Sequence, residues 1–213
     1  MRCIFDVGAN EGDWILGVAP LVPHAALHCF ELVPDTAAKL AERTYALGDR
    51  VHINAVGLSD APGTVDVRIY PGFSEGASAA GFEHPGMLSR QQACEVIAGD
   101  AYCEEHAVER IDLLKIDTEG LDLQVLRGFD QMLSSGAVGV VQFEYGLANI
   151  SSRAFLADFH TFLEEREFVV GKIWPRAVAF REYNPRTDEN FRGRNYLAVH
   201  RQREDLITRL SAR

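Results

Sequence analysis

The chain has 213 residues, of which 47% are apolar and 24% are charged, and these proportions are those of an ordinary globular protein. The length suits one domain with a full hydrophobic core, so we predict a single domain over residues 1–213. The formal net charge of −10 argues against nucleic-acid binding, because phosphate contacts need clustered lysine and arginine, and equally against docking on an anionic membrane. Small uncharged or cationic substrates stay open.

The cysteines are scattered along the chain and include no Cys-x-x-Cys pair; they are Cys3, Cys29, Cys94 and Cys103. This pattern predicts reduced thiols in a cytoplasmic protein, rather than a disulfide framework or a zinc site. Asp6 interrupts the first apolar residues too early for a secretory signal, and no run approaches the roughly 18 apolar residues of a membrane span. The oligomeric state stays open, as does the question whether the natural chain starts upstream.

Short apolar runs alternate with helical patterns along most of the chain. Strands are predicted at 2–7, 26–30, 51–56, 94–97, 111–116, 138–143, 168–174 and 196–200, and a hairpin at 57–69 that turns on residues 60–63. Helices are predicted from about residue 12 to before Pro20, from 34 to about 47, after a cap at Asp100, from 121 to about 128, and over 155–163. Residues 70–90 are predicted to form a long mobile loop, and the charged tail 201–213 a surface helix.

The alternation of strands and helices indicates an α/β protein with a doubly wound, mostly parallel sheet and helices on both faces. Two final strands without a helix between them indicate a last strand that runs antiparallel to its neighbours. In such a sheet, ligands bind outside the carboxyl ends of the strands, near the position where the strand order reverses.

Four acidic residues stand at the ends of predicted strands: Asp6, Glu31, Asp117 and Glu144. A carboxylate is costly to remove from water, and a hydrophobic strand end has no use for one that lacks a partner. These positions therefore predict a ligand site at one edge of the sheet.

The first strand runs into a glycine turn and then a helix, the arrangement of a nucleotide-binding corner. Counted from Gly8, the second and third glycines of a dinucleotide fingerprint are replaced by Asn10 and Asp13, and an acid at Asp13 would repel a pyrophosphate. Glu31 follows Asp6 by 25 residues, in the place where an acid binds ribose hydroxyls. The pattern favours a ligand with a ribose and a cationic end but no phosphates, such as S-adenosylmethionine.

Further motifs follow along the chain. The set is Phe5-Asp6-Val7-Gly8-Ala9-Asn10-Glu11-Gly12, Phe30-Glu31, Asn54-Ala55-Val56-Gly57-Leu58-Ser59-Asp60, Ile111-Asp112-Leu113-Leu114-Lys115-Ile116-Asp117-Thr118-Glu119-Gly120, Val125-Leu126-Arg127-Gly128 and Gln142-Phe143-Glu144-Tyr145. Together they resemble the FkbM family of S-adenosylmethionine-dependent methyltransferases, and the Lys-Ile-Asp-x-Glu-Gly run is the most specific part. The resemblance extends over about residues 4–174. Gly99 and Asp122 depart from it, since the family tends to have Leu and Glu there; we expect neither to disturb cofactor binding, and both could bear on the substrate side.

The resemblance implies a class I methyltransferase fold, Rossmann-like, with seven strands of which the last is antiparallel. It implies methyl transfer to a hydroxyl oxygen of a small molecule, commonly a sugar or natural product. Gly8, Asn10 and Gly12 would hold the methionine part of S-adenosylmethionine. The cofactor-binding set that we predict is Asp6, Gly8, Asn10, Gly12, Glu31, Leu32, Ala55, Val56 and Asp117, with Glu31 on the ribose and Ala55 and Val56 beside the adenine.

Methyl transfer from a sulfonium to a hydroxyl requires in-line positioning and removal of the hydroxyl proton. We expect Asp117 to orient cofactor or acceptor, while Glu119 or Glu144 takes the proton as general base. Alternatively, Asp117 and Glu144 hold a divalent cation such as magnesium, which would acidify the hydroxyl. The 70–90 loop, with Ser74, Ser78 and Phe82, could close over the acceptor, and its His84 is the only histidine that we expect near a substrate.

Two rival functions stay open. An NAD-dependent oxidoreductase is disfavoured because the dinucleotide glycine spacing is absent. A non-catalytic S-adenosylmethionine-binding module is disfavoured because Asp117, Glu119 and Glu144 are all present.

Overall fold

The computed structural model describes residues 1–81, 83–192 and 195–211. Its strands are β1 (Cys3–Val7), β2 (Ala26–Phe30), β3 (Val51–Asn54), β4 (Gly57–Ser59), β5 (Gly63–Tyr70), β6 (Phe73–Ser78), β7 (Arg90–Ala98), β8 (Leu113–Ile116), β9 (Val140–Glu144), β10 (Phe168–Trp174), β11 (Ala177–Phe180) and β12 (Asn195–His200). Its α-helices are α1 (Asp13–Val18), α2 (Pro34–Thr44), α3 (Gly99–Glu105), α4 (Asp122–Gly128), α5 (Asp130–Ser134), α6 (Ala148–Ser152), α7 (Leu156–Glu164), α8 (Pro185–Asp188) and α9 (Glu204–Leu210). Short 3-10 helices span Ala19–Leu21, Tyr45–Arg50 and Arg201–Arg203.

Within the described part of the chain, eight strands form the main sheet, in the order β11-β10-β12-β9-β8-β1-β2-β3. From β9 through β3 the neighbouring strands are parallel, whereas β12 runs antiparallel to both β9 and β10. The predicted α/β class and the antiparallel last strand are confirmed. The predicted count of seven strands is too low, because the edge strand β11 was missed: it is short and follows Pro175, a residue that normally ends strands.

A second sheet of the described residues has the order β4-β7-β5-β6. The predicted hairpin at 57–69 is wrong, since β7 lies between β4 and β5 and is parallel to β4 but antiparallel to β5. The turn at residues 60–63 therefore connects two strands that do not pair with each other. Glycine and proline in that turn carry no information about a third strand that enters from residue 90 onward.

The predicted 70–90 loop contains the strand β6, which pairs antiparallel with β5. Its sequence, Phe-Ser-Glu-Gly-Ala-Ser, has no β-branched residue, and this composition hid the strand. Phe82, which we expected in the covering loop, lies outside the described residues.

The main sheet is covered on both faces. Ile4 packs with Ile15 and Leu40 on the side of α1 and α2, whereas the next residue, Phe5, packs into the larger cluster on the other face with Leu123. Burial on both faces explains why these strands are continuously apolar rather than alternating. Among the described residues, no helix combines the length and the apolar character that crossing a membrane requires.

Asp100 does not cap α3 as predicted, because its carboxylate accepts hydrogen bonds from the backbone N–H groups of Gln131 and Met132, in the unpredicted helix α5. Gly99 lies against the ring of Phe129, where a Cβ atom would come within 2.4 Å of the ring carbons. This departure from the family pattern therefore serves packing between α3 and the α4–α5 connection.

Candidate active site

The glycine turn after β1 lies against the backbone at the end of the neighbouring parallel strand, β8. Gly8 has a φ of +75°, and a Cβ atom there would lie 1.9 Å from the carbonyl oxygen of Asp117. The N–H groups of Gly8 and Ala9 both donate to the carbonyl oxygen of Phe30 at 3.0 Å. Only glycine fits this position, because any side chain would displace the end of β8.

The far end of the turn faces helix α2. Gly12 has a φ of +90° and lies against Leu40, whose Cδ1 a Cβ atom would approach to 2.7 Å. The carboxylate of Asp13 pairs with Arg43 at 2.5 Å and is 80% exposed. Asp13 thus stands at the start of α1, as predicted, and is paired with a residue of α2.

Asn10 and Glu31 meet at the corner. The backbone N–H groups of Asn10 and Val33 donate to the two oxygens of the Glu31 carboxylate at 2.9 and 2.8 Å. Burial raises the pKa of Glu31, against the opposite effect of these hydrogen bonds. The side-chain Oδ1 of Asn10 is buried and has no hydrogen-bond partner among the described residues. A buried acceptor without a hydrogen-bond partner is rare in folded proteins, and it indicates a place where a ligand could donate a hydrogen bond.

Asp6 lies beneath the turn and is fully buried. Its cross-strand neighbour on β8 is Lys115, whose Nζ lies 3.0 Å from Asp6 Oδ1. The same Nζ is 3.4 Å from Asp117 Oδ2 and 3.4 Å from the carbonyl oxygen of Gly8. Burial raises the pKa of Asp6. Burial alone would lower the pKa of Lys115, but the two carboxylates outweigh it and hold that pKa above its ordinary value.

A cavity of about 930 Å³, counted with the space at its open mouth, lies at the carboxyl ends of β1, β2 and β8. The predicted cofactor residues that line it are Gly8, Asn10, Glu31, Leu32 and Asp117. Those that do not line it are Asp6, Gly12, Ala55 and Val56. At the end of β3 the lining is instead Gly57, Leu58 and Ser59, because the chain turns outward at Ala55, which is exposed, before it enters β4.

The second sheet supplies an apolar wall to this cavity. The wall side chains come from β5, β6 and β7 and include Val65, Val67, Ala77 and Val96. Leu32 and Val33 pack into the same cluster. Sequence reasoning missed the wall, although Val65, Val67 and Ile69 alternate as a half-buried strand requires.

The loop after β8 carries Glu119, one of the predicted catalytic residues, in an uncommon backbone conformation. Glu119 and Gly120 have φ values of +51° and +102°, and a Cβ atom on Gly120 would lie 2.7 Å from the carbonyl oxygen of Ala148. Ser78, at the end of β6, donates its hydroxyl to the carbonyl oxygen of Glu119 at 3.0 Å. A left-handed conformation in a residue with a side chain is costly and is concentrated at functional sites.

Asp122, on α4, connects this loop to the end of β9. Its Oδ2 accepts from the Thr118 N–H and hydroxyl at 3.2 and 2.9 Å, and its Oδ1 accepts from the Glu144 N–H at 3.0 Å. Burial, with the charge of Asp117, raises the pKa of Asp122 to about 6. Burial and the charges of Asp117 and Asp122 raise the pKa of Glu144 to about 7. Asp122 and Glu144 therefore both have pKa values close enough to neutral pH for their carboxyl groups to bind and release a proton there.

A second cavity of about 700 Å³, again counted with its mouth, adjoins the first at Glu119, which lines both. Its lining is His84, Glu119, Gly120, Glu144, Gly146, Leu147, Ala148 and Asn149. Carboxylate oxygens of Asp117, Glu119 and Glu144 lie within 4.8 Å of one another, so the three predicted catalytic residues come together here. His84 also lines this cavity, and its backbone N–H donates to the hydroxyl of Tyr70 at 2.9 Å.

Comparison with protein families finds one match that covers most of the chain. The family model described as the methyltransferase FkbM domain matches residues 6–170. This range contains the corner, both cavities, the three clustered carboxylates and most of the main sheet.

Two curated relatives carry methyltransferase names. The 2-O-methyltransferase NoeI of Sinorhizobium fredii is 30% identical over 145 residues, which are 62% of this chain and 58% of the relative. The hexuronic acid methyltransferase AglP of Haloferax volcanii is 27% identical over 175 residues, covering 79% of this chain and 70% of the relative. The chain thus spans little more than half the length of NoeI.

Among solved structures, the methyltransferase FkbM from Methylobacillus flagellatus resembles this chain with a TM-score of 0.59 and 14% identity, over 93% of this chain and 43% of the other. At that identity the likeness bears on the fold alone. It confirms the predicted class I methyltransferase fold.

Proposed function

The chain belongs to the family of the methyltransferase FkbM domain, and from that membership we propose that it is an S-adenosylmethionine-dependent O-methyltransferase that acts on a hydroxyl of a small molecule, such as a sugar or natural product. The observation that carries the proposal is the junction of the two cavities. Glu119 lines both of them, and Asp117 and Glu144 lie beside it. A donor in one cavity and an acceptor in the other would meet at these three carboxylates.

The first cavity suits S-adenosylmethionine in its polar and its apolar parts. The unpartnered Oδ1 of Asn10 can accept a hydrogen bond from the ammonium group of an amino-acid tail. Gly8, which has no side chain, lets the backbone turn approach that tail closely. The Glu31 carboxylate lines the cavity at the end of β2, where it would accept from ribose hydroxyls. Val65 and Val67 give an apolar surface for a purine. When bound, the cofactor supplies an activated methyl group with a neutral leaving group.

The chain's own residues would then position the acceptor and move its proton. Glu144, with a pKa of about 7, is suited to accept a hydroxyl proton near neutral pH. Glu119 is the alternative base because it borders both cavities. Asp117, held by Lys115 at 3.4 Å, would orient the cofactor or the acceptor. His84 lines the acceptor cavity and completes its rim.

A divalent cation such as magnesium is the second arrangement that this cluster allows. Three carboxylates with oxygens within 4.8 Å of one another are the hard oxygen ligands that magnesium prefers. Asp117, Glu119 and Glu144 would hold such an ion, which would supply acidification of a bound hydroxyl. Under this arrangement Glu144 would be a ligand and could not also serve as the free base.

The first experiment measures binding and turnover separately. Calorimetry with S-adenosylmethionine and NAD in parallel should give binding of S-adenosylmethionine only, whereas binding of NAD only would favour an oxidoreductase. Formation of S-adenosylhomocysteine is then followed across a panel of hydroxylated small molecules. A protein that binds S-adenosylmethionine but turns over none of a broad panel would be a non-catalytic binding module.

The base is identified with Glu119→Gln and Glu144→Gln, and with Glu165→Gln as a matched control on the surface. Loss of a general base should lower turnover by roughly 10²-fold or more while S-adenosylmethionine affinity stays within about twofold. Full turnover in both site variants would rule out these two residues as the base. Turnover that is abolished by EDTA and restored by magnesium would favour the cation arrangement.

We further propose that the chain acts in the cytoplasm on free small molecules, rather than on nucleic acid or at a membrane. The net charge of −10 and the acidic rim of the second cavity support this. Turnover of short RNA or DNA oligomers in the same assay would contradict it.

A further inference from the structure

The fully buried Asp6 and its cross-strand partner Lys115 form an ion pair that touches neither cavity. Asp6 is 0% exposed and Lys115 is 5% exposed, and neither lines the first or the second cavity. Ion pairs buried this deeply are poor stabilisers, because the loss of hydration of both charges offsets most of their attraction. Their presence between two central strands of a sheet therefore calls for a reason other than stability.

The surroundings of Lys115 supply that reason. Its ammonium lies 3.0 Å from Asp6 Oδ1, 3.4 Å from Asp117 Oδ2 and 3.4 Å from the carbonyl oxygen of Gly8, and 5.8 Å from the centre of the Trp14 ring. Gly8 belongs to the glycine turn of the first cavity, and Asp117 belongs to the carboxylate cluster at its junction with the second. One ammonium thus contacts both of the loops that must be aligned for transfer.

We propose that Asp6 and Lys115 are positioning residues that align the cofactor turn at Gly8 with Asp117, and thereby set the geometry between the two cavities. This inference rests on the proposed function, since it concerns the same site. Asp6 fixes the ammonium from below, because its fully buried carboxylate lies 3.0 Å from Lys115 Nζ and so restricts where the ammonium can lie. The ammonium then holds Asp117 close to the turn, at the point where Gly8 already meets the carbonyl oxygen of Asp117 with no room for a side chain.

A set of variants separates positioning from stability. Lys115→Met leaves Asp6 buried without a partner, and Asp6→Asn leaves Lys115 with Asp117 alone. Breaking a buried pair on one side should lower the melting temperature by roughly 10 °C. The double variant Asp6→Leu with Lys115→Met replaces both charges with apolar side chains, and such replacements often restore stability.

The decisive measurement is the affinity of the double variant for S-adenosylmethionine, taken by calorimetry beside its melting temperature. We expect the melting temperature to recover to within a few degrees of the wild type, while affinity stays roughly tenfold weaker or worse because the turn and Asp117 are no longer aligned. If both recover together, with affinity within about twofold, the pair is merely structural and the inference is wrong. The control is Arg181→Met with Asp188→Asn, an ion pair between the residue that follows β11 and the last residue of α8, neither of which lines a cavity.

Hydrogen exchange gives a readout that does not depend on the cofactor. In the double variant, the backbone amides at Gly8–Asn10 and at Asp117–Gly120 should exchange faster, while amides of β10 and β12 keep the wild-type rate. Unchanged exchange in both loops would overturn the inference. If the wild type itself fails to bind S-adenosylmethionine, the proposed function fails, and the exchange result still decides whether the pair aligns the two loops.

Discussion

The corner at the ends of β1 and β2 and the wall that the second sheet adds to it are assembled in different ways. In the corner, the bond from the Asn10 N–H to the Glu31 carboxylate joins two local motifs 21 residues apart, although Gly8 also meets the distant Asp117. The wall depends on pairing between distant strands and on the bond from Ser78 to Glu119, 41 residues apart. The corner can thus be recognised from local motifs, whereas the wall of the same cavity and the acceptor loop bonded to it depend on pairing between distant strands. Four predictions test this difference.

The largest effect is expected at the corner, from Gly8→Ala. The added methyl group would meet the Asp117 carbonyl oxygen at 1.9 Å and would require a φ of +75°, so the turn must move. We expect S-adenosylmethionine affinity to fall by roughly a hundredfold or more, measured by calorimetry. Gly17→Ala is the matched control, because its Cβ would meet nothing within 4 Å. If folded Gly8→Ala binds S-adenosylmethionine as tightly as Gly17→Ala does, then the turn at Gly8 can shift without loss of cofactor binding.

The same difference explains what the sequence could predict. The strands at 26–30 and 168–174 were predicted with the observed bounds, since continuous apolar runs report burial on both faces directly. Asn10 and Glu31, each at a fixed place in a local motif, were predicted at the site and line the first cavity. Nothing local reveals that β7 inserts between β4 and β5, and so the hairpin was mispredicted and the wall was missed.

Strand register explains why some of the predicted cofactor residues do not line the first cavity. Asp6 was predicted to bind the cofactor because it ends a strand, but its partner is known only once β1 and β8 are aligned with Asp6 opposite Lys115. The position of Ala55 and Val56 depended on where β3 ends, and β3 ends at Asn54, so the lining falls to Gly57 and the residues after it. Because β3 ends two residues earlier than predicted, the cavity is lined there by Gly57, Leu58 and Ser59 and not by Ala55 and Val56.

The second prediction concerns pH on the acceptor side. If Glu144 is the base, only its carboxylate form is active, and a pKa of about 7 makes that form scarce in acid. Burial and the charges of Asp117 and Asp122 raise this pKa, whereas Lys115 opposes them. Below the pKa, turnover should fall about tenfold for each pH unit, and above it turnover should be level.

The measurement is turnover from pH 5 to 9 in the presence of EDTA, with an acceptor taken from the panel. Glu144→Gln should lose both the rate and this pH dependence. A profile that is flat from pH 5 to 7 in the wild type would exclude Glu144 as the titrating base. A profile that moves when magnesium is added would instead indicate that the cluster binds the ion.

The third prediction tests the wall through Val67→Ala. Val67 is buried and lines the first cavity, so truncation removes two carbons from the surface offered to a purine. At about 0.8 kcal/mol per buried carbon, affinity for S-adenosylmethionine should fall roughly tenfold. Val170 on β10 is about as buried but lines neither cavity, so Val170→Ala should lower stability without changing affinity. Equal affinities of the two variants would mean that the wall does not touch the cofactor.

The smallest effect is expected where the wall meets the acceptor loop, from Ser78→Ala. The Ser78 hydroxyl donates to the carbonyl oxygen of Glu119 at 3.0 Å and supports its left-handed conformation. Loss of one hydrogen bond of about 1 kcal/mol should lower turnover by roughly fivefold, with S-adenosylmethionine affinity unchanged. Ser135→Ala, which removes a comparable bond to Met132 on the surface, is the control and should leave turnover at the wild-type level. If Ser78→Ala instead weakens cofactor binding and spares turnover, then this bond supports the cofactor cavity, which β6 lines through Ala77, and not the acceptor loop. The wall would in that case stabilise the same cavity as the corner, without a contribution to the acceptor loop.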